Sequence, residues 1–227
     1  IPVHHLRGHI AANYLAFPEL EPPFLALCIS GGNSMLVDVR GYTDMAILGA
    51  TRDDAAGECF DKIARVLGLP YPGGRPMEEL AQGGDDAKYP LPRARVAGNP
   101  LDMSFSGLKT AAVNLVHNAA QKGETLDRSS LAASVAAAIS DELVPRAIEA
   151  AKQCGRRTMA AAGGVAANGR IRGDLERACR EAGIRLYLPP LRLCGDNGAM
   201  IGSQAYYEYL AGSRADMSLN AYANLEI

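Results

Sequence analysis

The chain has 227 residues, 48% of them hydrophobic, and a formal net charge of −2. It can therefore bury a sizeable core, and the near-neutral balance excludes a globally basic nucleic-acid binder, so any contact with a polyanion is a local patch. Five scattered cysteines (Cys28, Cys59, Cys154, Cys179 and Cys194) form no CxxC pair, which fits a reducing cytoplasm and argues against a disulfide scaffold or a zinc knuckle.

The opening, Ile1-Pro2-Val3-His4-His5, reads as an element entered midway, so a fragment is expected. His5-Leu6-Arg7-Gly8-His9 spaces two imidazoles four apart. On a helix they share one face and can ligate one metal ion. No Glu stands at the position a zinc protease uses as its base, so proteolysis is a poor reading. The helix continues through Ala16 and ends before Pro18, Pro22 and Pro23.

Phe24-Leu25-Ala26-Leu27 and Met35-Leu36-Val37-Asp38-Val39 read as two strands joined through Cys28-Ile29-Ser30-Gly31-Gly32-Asn33-Ser34. Tight glycine hairpins are common, so alone this is a turn. Paired glycines also let backbone approach a ligand, and the amides of Gly31, Gly32 and Asn33 with the Ser30 hydroxyl suit an oxyanion. Ala46-Ile47-Leu48-Gly49 is expected as a third strand. Thr51 and Asp54 are placed to cap a helix whose apolar stripe is Ala56, Phe60, Ile63 and Leu67, with Gly68 as its stop. On its wet side Asp61 could pair with Arg65.

Tyr71-Pro72-Gly73-Gly74-Arg75-Pro76 is a rigid turn before a short helix from Met77. Lys88, Arg93 and Arg95 make the most basic loop. Ser104 to Thr110 leads into an Ala-rich helix, and a long helix is expected over Ser129 to Lys152, bent at Pro145 and stopped near Gly155. Thr158 to Ala162, Gly163-Gly164 and a helix from Gly169 to Ala182 give strand, glycine turn and helix, an arrangement that suits a phosphate or sugar. A strand over Ile184 to Leu188 follows. Asp196, just before the last helix, is either its cap or a metal ligand.

Taken together and in this order, His5–His9, Ser30–Ser34, Asp53–Lys62, Tyr71–Gly74, Phe105–Thr110, Gly163–Asn168 and Cys194–Met200 resemble the TsaD family of tRNA N6-adenosine threonylcarbamoyltransferases. The resemblance implies an α/β, actin-like/Hsp70-like ATPase fold of two RNase H-like lobes. Residues 1–22 would be a remnant of the first lobe, and 23–227 the complete second lobe with a helical insertion and a C-terminal helix. It implies that His5, His9 and Asp196 hold one divalent metal, for which zinc and ferrous iron both suit the ligand set. Cys28, Ile29, Ser30, Gly31 and Gly32 would line the phosphate and acyl region of threonylcarbamoyl-AMP. Asp61, Gly74, Glu78 and Asn168 would contact the nucleoside. Transfer would be to N6 of the adenosine beside the anticodon in tRNAs reading codons that begin with A. Expected partners are tRNA, a TsaB-like paralogue and a TsaE-like ATPase. Two departures stand out. The family's first phosphate loop is not in this sequence, and Arg7 occupies a position where an acidic residue is expected. Rival readings are a carbamoyltransferase of the hydrogenase-maturation or O-carbamoylation type and a non-catalytic scaffold lobe.

Overall fold

Six consecutive buried residues, Phe24–Ile29, form the central strand β1. A strand covered on both faces has this uniform burial, and its alternate side chains serve two different cores. The computed structural model describes every residue except Arg95, Ala223, Asn224 and Glu226. Around β1 the order is α1 (His5–Ala16), β2 (Ser34–Val39), β3 (Met45–Ala50), α2 (Ala56–Val66), α3 (Gly74–Ala81), α4 (Ser106–Lys122), α5 (Arg128–Gln153), β4 (Thr158–Ala162), α6 (Gly169–Ala182), β5 (Arg185–Tyr187) and α7 (Gly198–Leu210).

The sheet order is β3-β2-β1-β4-β5. The meander β1–β2–β3 is antiparallel, whereas β4 joins β1, and β5 joins β4, in parallel. This is the RNase H-like lobe of actin-like ATPases that the motif order implies. Leu25, Leu27 and Ile29 pack with Phe60, Met77, Phe105, Leu131 and Leu175 from α2 to α6. Phe24, Ala26 and Cys28 face the other way, onto Leu6, Ile10 and Tyr14 of α1. Alanines at 160 and 162 of β4 keep that face shallow, and α1 lies close over it. Asn13 Nδ2 donates to the Ala161 carbonyl at 3.0 Å, one residue beyond the stretch that β5 pairs.

Gly8 faces α7, where a Cβ would come within 2.8 Å of Ile201 Cδ1 and push that side-chain end aside. Arg7 also has a structural reason. Its Nη1 donates to Glu208 on α7 and to the Thr43 carbonyl, both at 3.1 Å. An acidic residue there would face Glu208 instead.

Three local expectations are corrected. Thr51 does not cap α2: its hydroxyl donates to the Asp54 carbonyl at 2.7 Å, and the helix begins at Ala56. The reason is that both aspartates are drawn elsewhere. Asp53 accepts from the Phe105 and Ser106 amides at the start of α4, and Asp54 pairs with Lys62 and Lys109. Asp61 does not pair with Arg65 but accepts from the Gly73 amide at 2.6 Å. In the basic loop, Lys88 and Arg93 are neutralised by Asp127 and Asp141, and Arg95 lies outside the described residues. The chain also stays helical through Pro145.

Candidate active site

The Ser30–Asn33 turn closes on itself. Ser30 N–H donates to the Asn33 carbonyl at 2.7 Å, and the Asn33 amide donates to Ser30 Oγ at 3.1 Å. The Asn33 amide is therefore engaged, and it does not belong to an open oxyanion cradle. Among the described residues, the Gly31 and Gly32 amides donate to no protein group. Neither glycine has a positive φ, and a Cβ on either would meet nothing within 4 Å. Nothing inside the protein demands glycine at these positions, and the space beside them is open.

Two other glycines do have internal reasons. A Cβ at Gly57 would lie 2.6 Å from Ser30 O and 2.7 Å from Gly31 Cα. A Cβ at Gly163 would lie 2.3 Å from Ile29 O, and its φ is +91°. Gly57 thus lets the first turn of α2 touch the Ser-Gly-Gly turn, and Gly163 does the same for the loop after β4. At the amino end of α2 the Ala56 amide is taken by Ser34 Oγ at 2.9 Å, and Gly57 brings the positive dipole end of the helix against the same turn.

These contacts frame a cavity of about 490 Å³. It is lined by Gly31, Asp61, Gly74, Glu78 and Asn168, all anticipated from the sequence. Its wall also includes Gly57, Phe60, Tyr71, Arg75 and Val165, which were not. The motifs Asp53–Lys62 and Tyr71–Gly74 had marked the neighbourhood without singling these residues out. Asn168 Oδ1 caps α6 through the Ile171 amide at 3.2 Å, and Glu78 Oε1 accepts from the Gly169 amide at 2.9 Å. Asp61, Glu78 and Asn168 are thereby each held by a backbone amide. Cys28, Ile29, Ser30 and Gly32 do not line this cavity. Cys28 and Ile29 are fully buried in β1, and burial pushes the Cys28 thiol up to about 12, so it is no nucleophile.

The other anticipated set also comes together. Asp196 Oδ1 lies 3.4 Å from His5 Nε2 and 3.1 Å from His9 Nε2. The two rings meet edge-on with centroids 4.7 Å apart. Asp196 is not the cap of α7, because Asn197 takes that role through the Met200 amide at 2.9 Å. His4 caps α1 by accepting from the Leu6 amide. His9 is 2% exposed, and both of its ring nitrogens lack a hydrogen-bond partner among the described residues. Its Nε2 is near Asp196 without hydrogen-bond alignment, a costly state for a buried imidazole. Burial, and then the neighbouring His5, lower its basicity and favour the neutral ring that a metal needs. Metal–ligand bonds of about 2.0–2.2 Å put donor atoms roughly 3–3.5 Å apart. Both carboxylate–imidazole separations fall in that range, and all three donors lie within 4.8 Å of one another, so the set is a candidate site for one divalent ion.

An RNase H-like α/β fold with amide donors and carboxylates around a cavity, and a separate His-His-Asp set, defines the class of protein to which the chain is structurally similar. The fold has solved counterparts. Full-length HypF in a phosphate- and nucleotide-bound form superposes with a TM-score of 0.69 at 12% identity, over 94% of this chain and 36% of that one. T. kodakarensis HypF gives 0.68 at 18% identity, over 92% and 37%. The family model for TsaD, tRNA N6-adenosine threonylcarbamoyltransferase, matches residues 1–203. A relative of that name from Moorella thermoacetica is 50% identical over the whole chain. Others from Clostridium botulinum strain 657 and Staphylococcus saprophyticus are each 44% identical over the whole chain. The chain belongs to the TsaD family, and it spans 66–67% of the length of these curated relatives.

Proposed function

We propose that the protein transfers the threonylcarbamoyl group of threonylcarbamoyl-AMP to N6 of the adenosine beside the anticodon, in tRNAs reading codons that begin with A. The observation that carries this reading is the convergence of Gly31, Asp61, Gly74, Glu78 and Asn168 on one cavity, in a chain 50% identical to a relative bearing that name. The Gly31 and Gly32 amides and the amino end of α2 bind the phosphate and take the charge that grows on it as the acyl group leaves. Asp61 and Glu78, each fastened at one oxygen by a backbone amide, present carboxylates to the ribose hydroxyls. His5, His9 and Asp196 hold a divalent ion, iron or zinc, which when bound supplies Lewis acidity toward a substrate oxygen. The exocyclic amine of adenine is a weak nucleophile, so orientation of the two substrates carries much of the rate.

The same reading assigns Cys28, Ile29 and Ser30 a supporting role through their backbone, as the strand end that sets the turn. It takes residues 1–22 as the end of a first lobe and 23–227 as the second. A TsaB-like paralogue and a TsaE-like ATPase are the partners, and the cytoplasm is the site of action. No helix among the described residues is long and apolar enough to cross a membrane. The test is the identity of the acyl adenylate. Threonylcarbamoyl-AMP with tRNA should give modified adenosine, and carbamoyl-AMP should give none. Turnover of carbamoyl-AMP alone would replace this reading with the carbamoyltransferase one.

A further inference from the structure

Tyr71 stands at the rim of the cavity and is 83% exposed. A single exposed tyrosine is ordinary. This one is set apart by how firmly its backbone is held while its ring touches so little. Pro70 and Pro72 flank it and restrict the backbone on both sides. Two residues on, the Gly73 amide is fastened to Asp61 Oδ1 at 2.6 Å. Gly73 is seated so tightly on α2 that a Cβ would lie 2.4 Å from that of Ala64. Among the described residues, Tyr71 belongs to no aromatic pair, unlike Tyr14, Tyr42, Tyr187 and Tyr207. The cavity wall beside it is apolar, from Phe60, Pro72, Pro76 and Val165.

We propose that Tyr71 is the stacking lid for the base of the bound adenylate. The inference rests on the reading of this cavity as a nucleotide site. A tyrosine has few torsions to freeze, and a turn fixed in advance lowers the ordering cost further. The planar base would lie between the phenol ring and the apolar wall, with the ribose toward Asp61 and Glu78 and the phosphate toward Gly31. Stacking is sequence-tolerant in itself, because every base has a planar face for the ring to cover.

The chain contains no tryptophan, so Tyr71→Trp introduces its sole indole. Because Tyr71 is exposed and unpacked, its variants should fold as the wild type does. Calorimetry with AMP on the 227-residue chain should show affinity falling about tenfold in Tyr71→Ala and by no more than about twofold in Tyr71→Phe. AMP should quench the indole emission of the Tyr71→Trp variant with the same dissociation constant that calorimetry gives. Equal AMP affinity in wild type and Tyr71→Ala would overturn the inference while leaving the nucleotide site in place. So would an indole signal indifferent to AMP but responsive to an anticodon-loop RNA, which would turn the ring toward the acceptor. Failure of the wild-type chain to bind AMP at all would remove the nucleotide site and this inference with it.

Discussion

His9 is the residue whose state is hardest to explain without a ligand. It is buried, its nitrogens are unpartnered among the described residues, and it sits 3.1 Å from a carboxylate that is itself 77% exposed. The exposure of Asp196 makes it the cleaner residue to change. Asp196→Ala should leave the thermal midpoint within about a degree or two while most of the bound metal is lost by elemental analysis. Equal metal content in variant and wild type would reject the His-His-Asp set. Arg7 makes a second residue-scale case. Its half-buried pair with Glu208 ties α1 to α7, so Arg7→Ala should cost about 1–3 kcal/mol in urea unfolding. An unchanged midpoint would show the pair to be idle. Arg7 and Glu208 stand 201 positions apart, so a local reading of HxxxH gave no hint of the pairing.

At the scale of elements, the site is made by three loops pressed against one another, and Gly57 and Gly163 permit the pressing. Gly57→Ala would drive a methyl into backbone at 2.6 Å, and Gly163→Ala would add a φ of +91° to a 2.3 Å contact. Both should lose stability, by about 1–3 kcal/mol, together with AMP binding. Full AMP affinity in a destabilised Gly57→Ala would mean that the loops can part without harm to the cavity. Asp38 of β2 gives the sheet a pH dependence. Burial works to raise its pKa, but hydrogen bonds from Arg156 and Arg40 outweigh that and hold it below the ordinary 3.8. A depressed carboxylate stabilises the fold above its unfolded pKa, and that contribution is lost as pH falls through the folded value. Asp38→Asn should therefore cost about 1–3 kcal/mol at pH 7, a difference that narrows as pH falls below the ordinary 3.8. A gap that stays constant with pH would contradict the pairing. The elements themselves were readable from apolar period and glycine punctuation, and every strand and helix lies close to where the pattern put it. What the pattern missed was who caps whom. Thr51 and Asp54 look like a capping box, yet Asp53 goes 53 positions away to Ser106. Capping signals are local, and tertiary partners that compete for the same side chains are not visible in them.

For the whole molecule, the order of motifs was enough to give the fold class and five of the residues that line the cavity, because the glycine turns after β1 and β4 follow neighbouring parallel strands at the same end of the sheet. The surface was less readable. Lys88 and Arg93 form a basic loop in the sequence but are answered by Asp127 and Asp141 in the fold. With net charge −2 and those cations paired, this chain alone should bind tRNA weakly and lose it steeply with salt. Addition of the accessory subunits should restore binding; tight binding by the isolated chain at physiological salt would contradict that. The central claim is that the open space beside Gly31 belongs to the substrate. Gly31→Ala tests it most directly, because the methyl would meet no protein atom within 4 Å and φ there is not positive. Modified adenosine is counted by mass spectrometry of digested tRNA, alongside the thermal midpoint, in the protein assembled with its partners. The prediction is an unchanged or slightly raised midpoint with transfer abolished. A folded and fully active Gly31→Ala would show that the turn is only a turn.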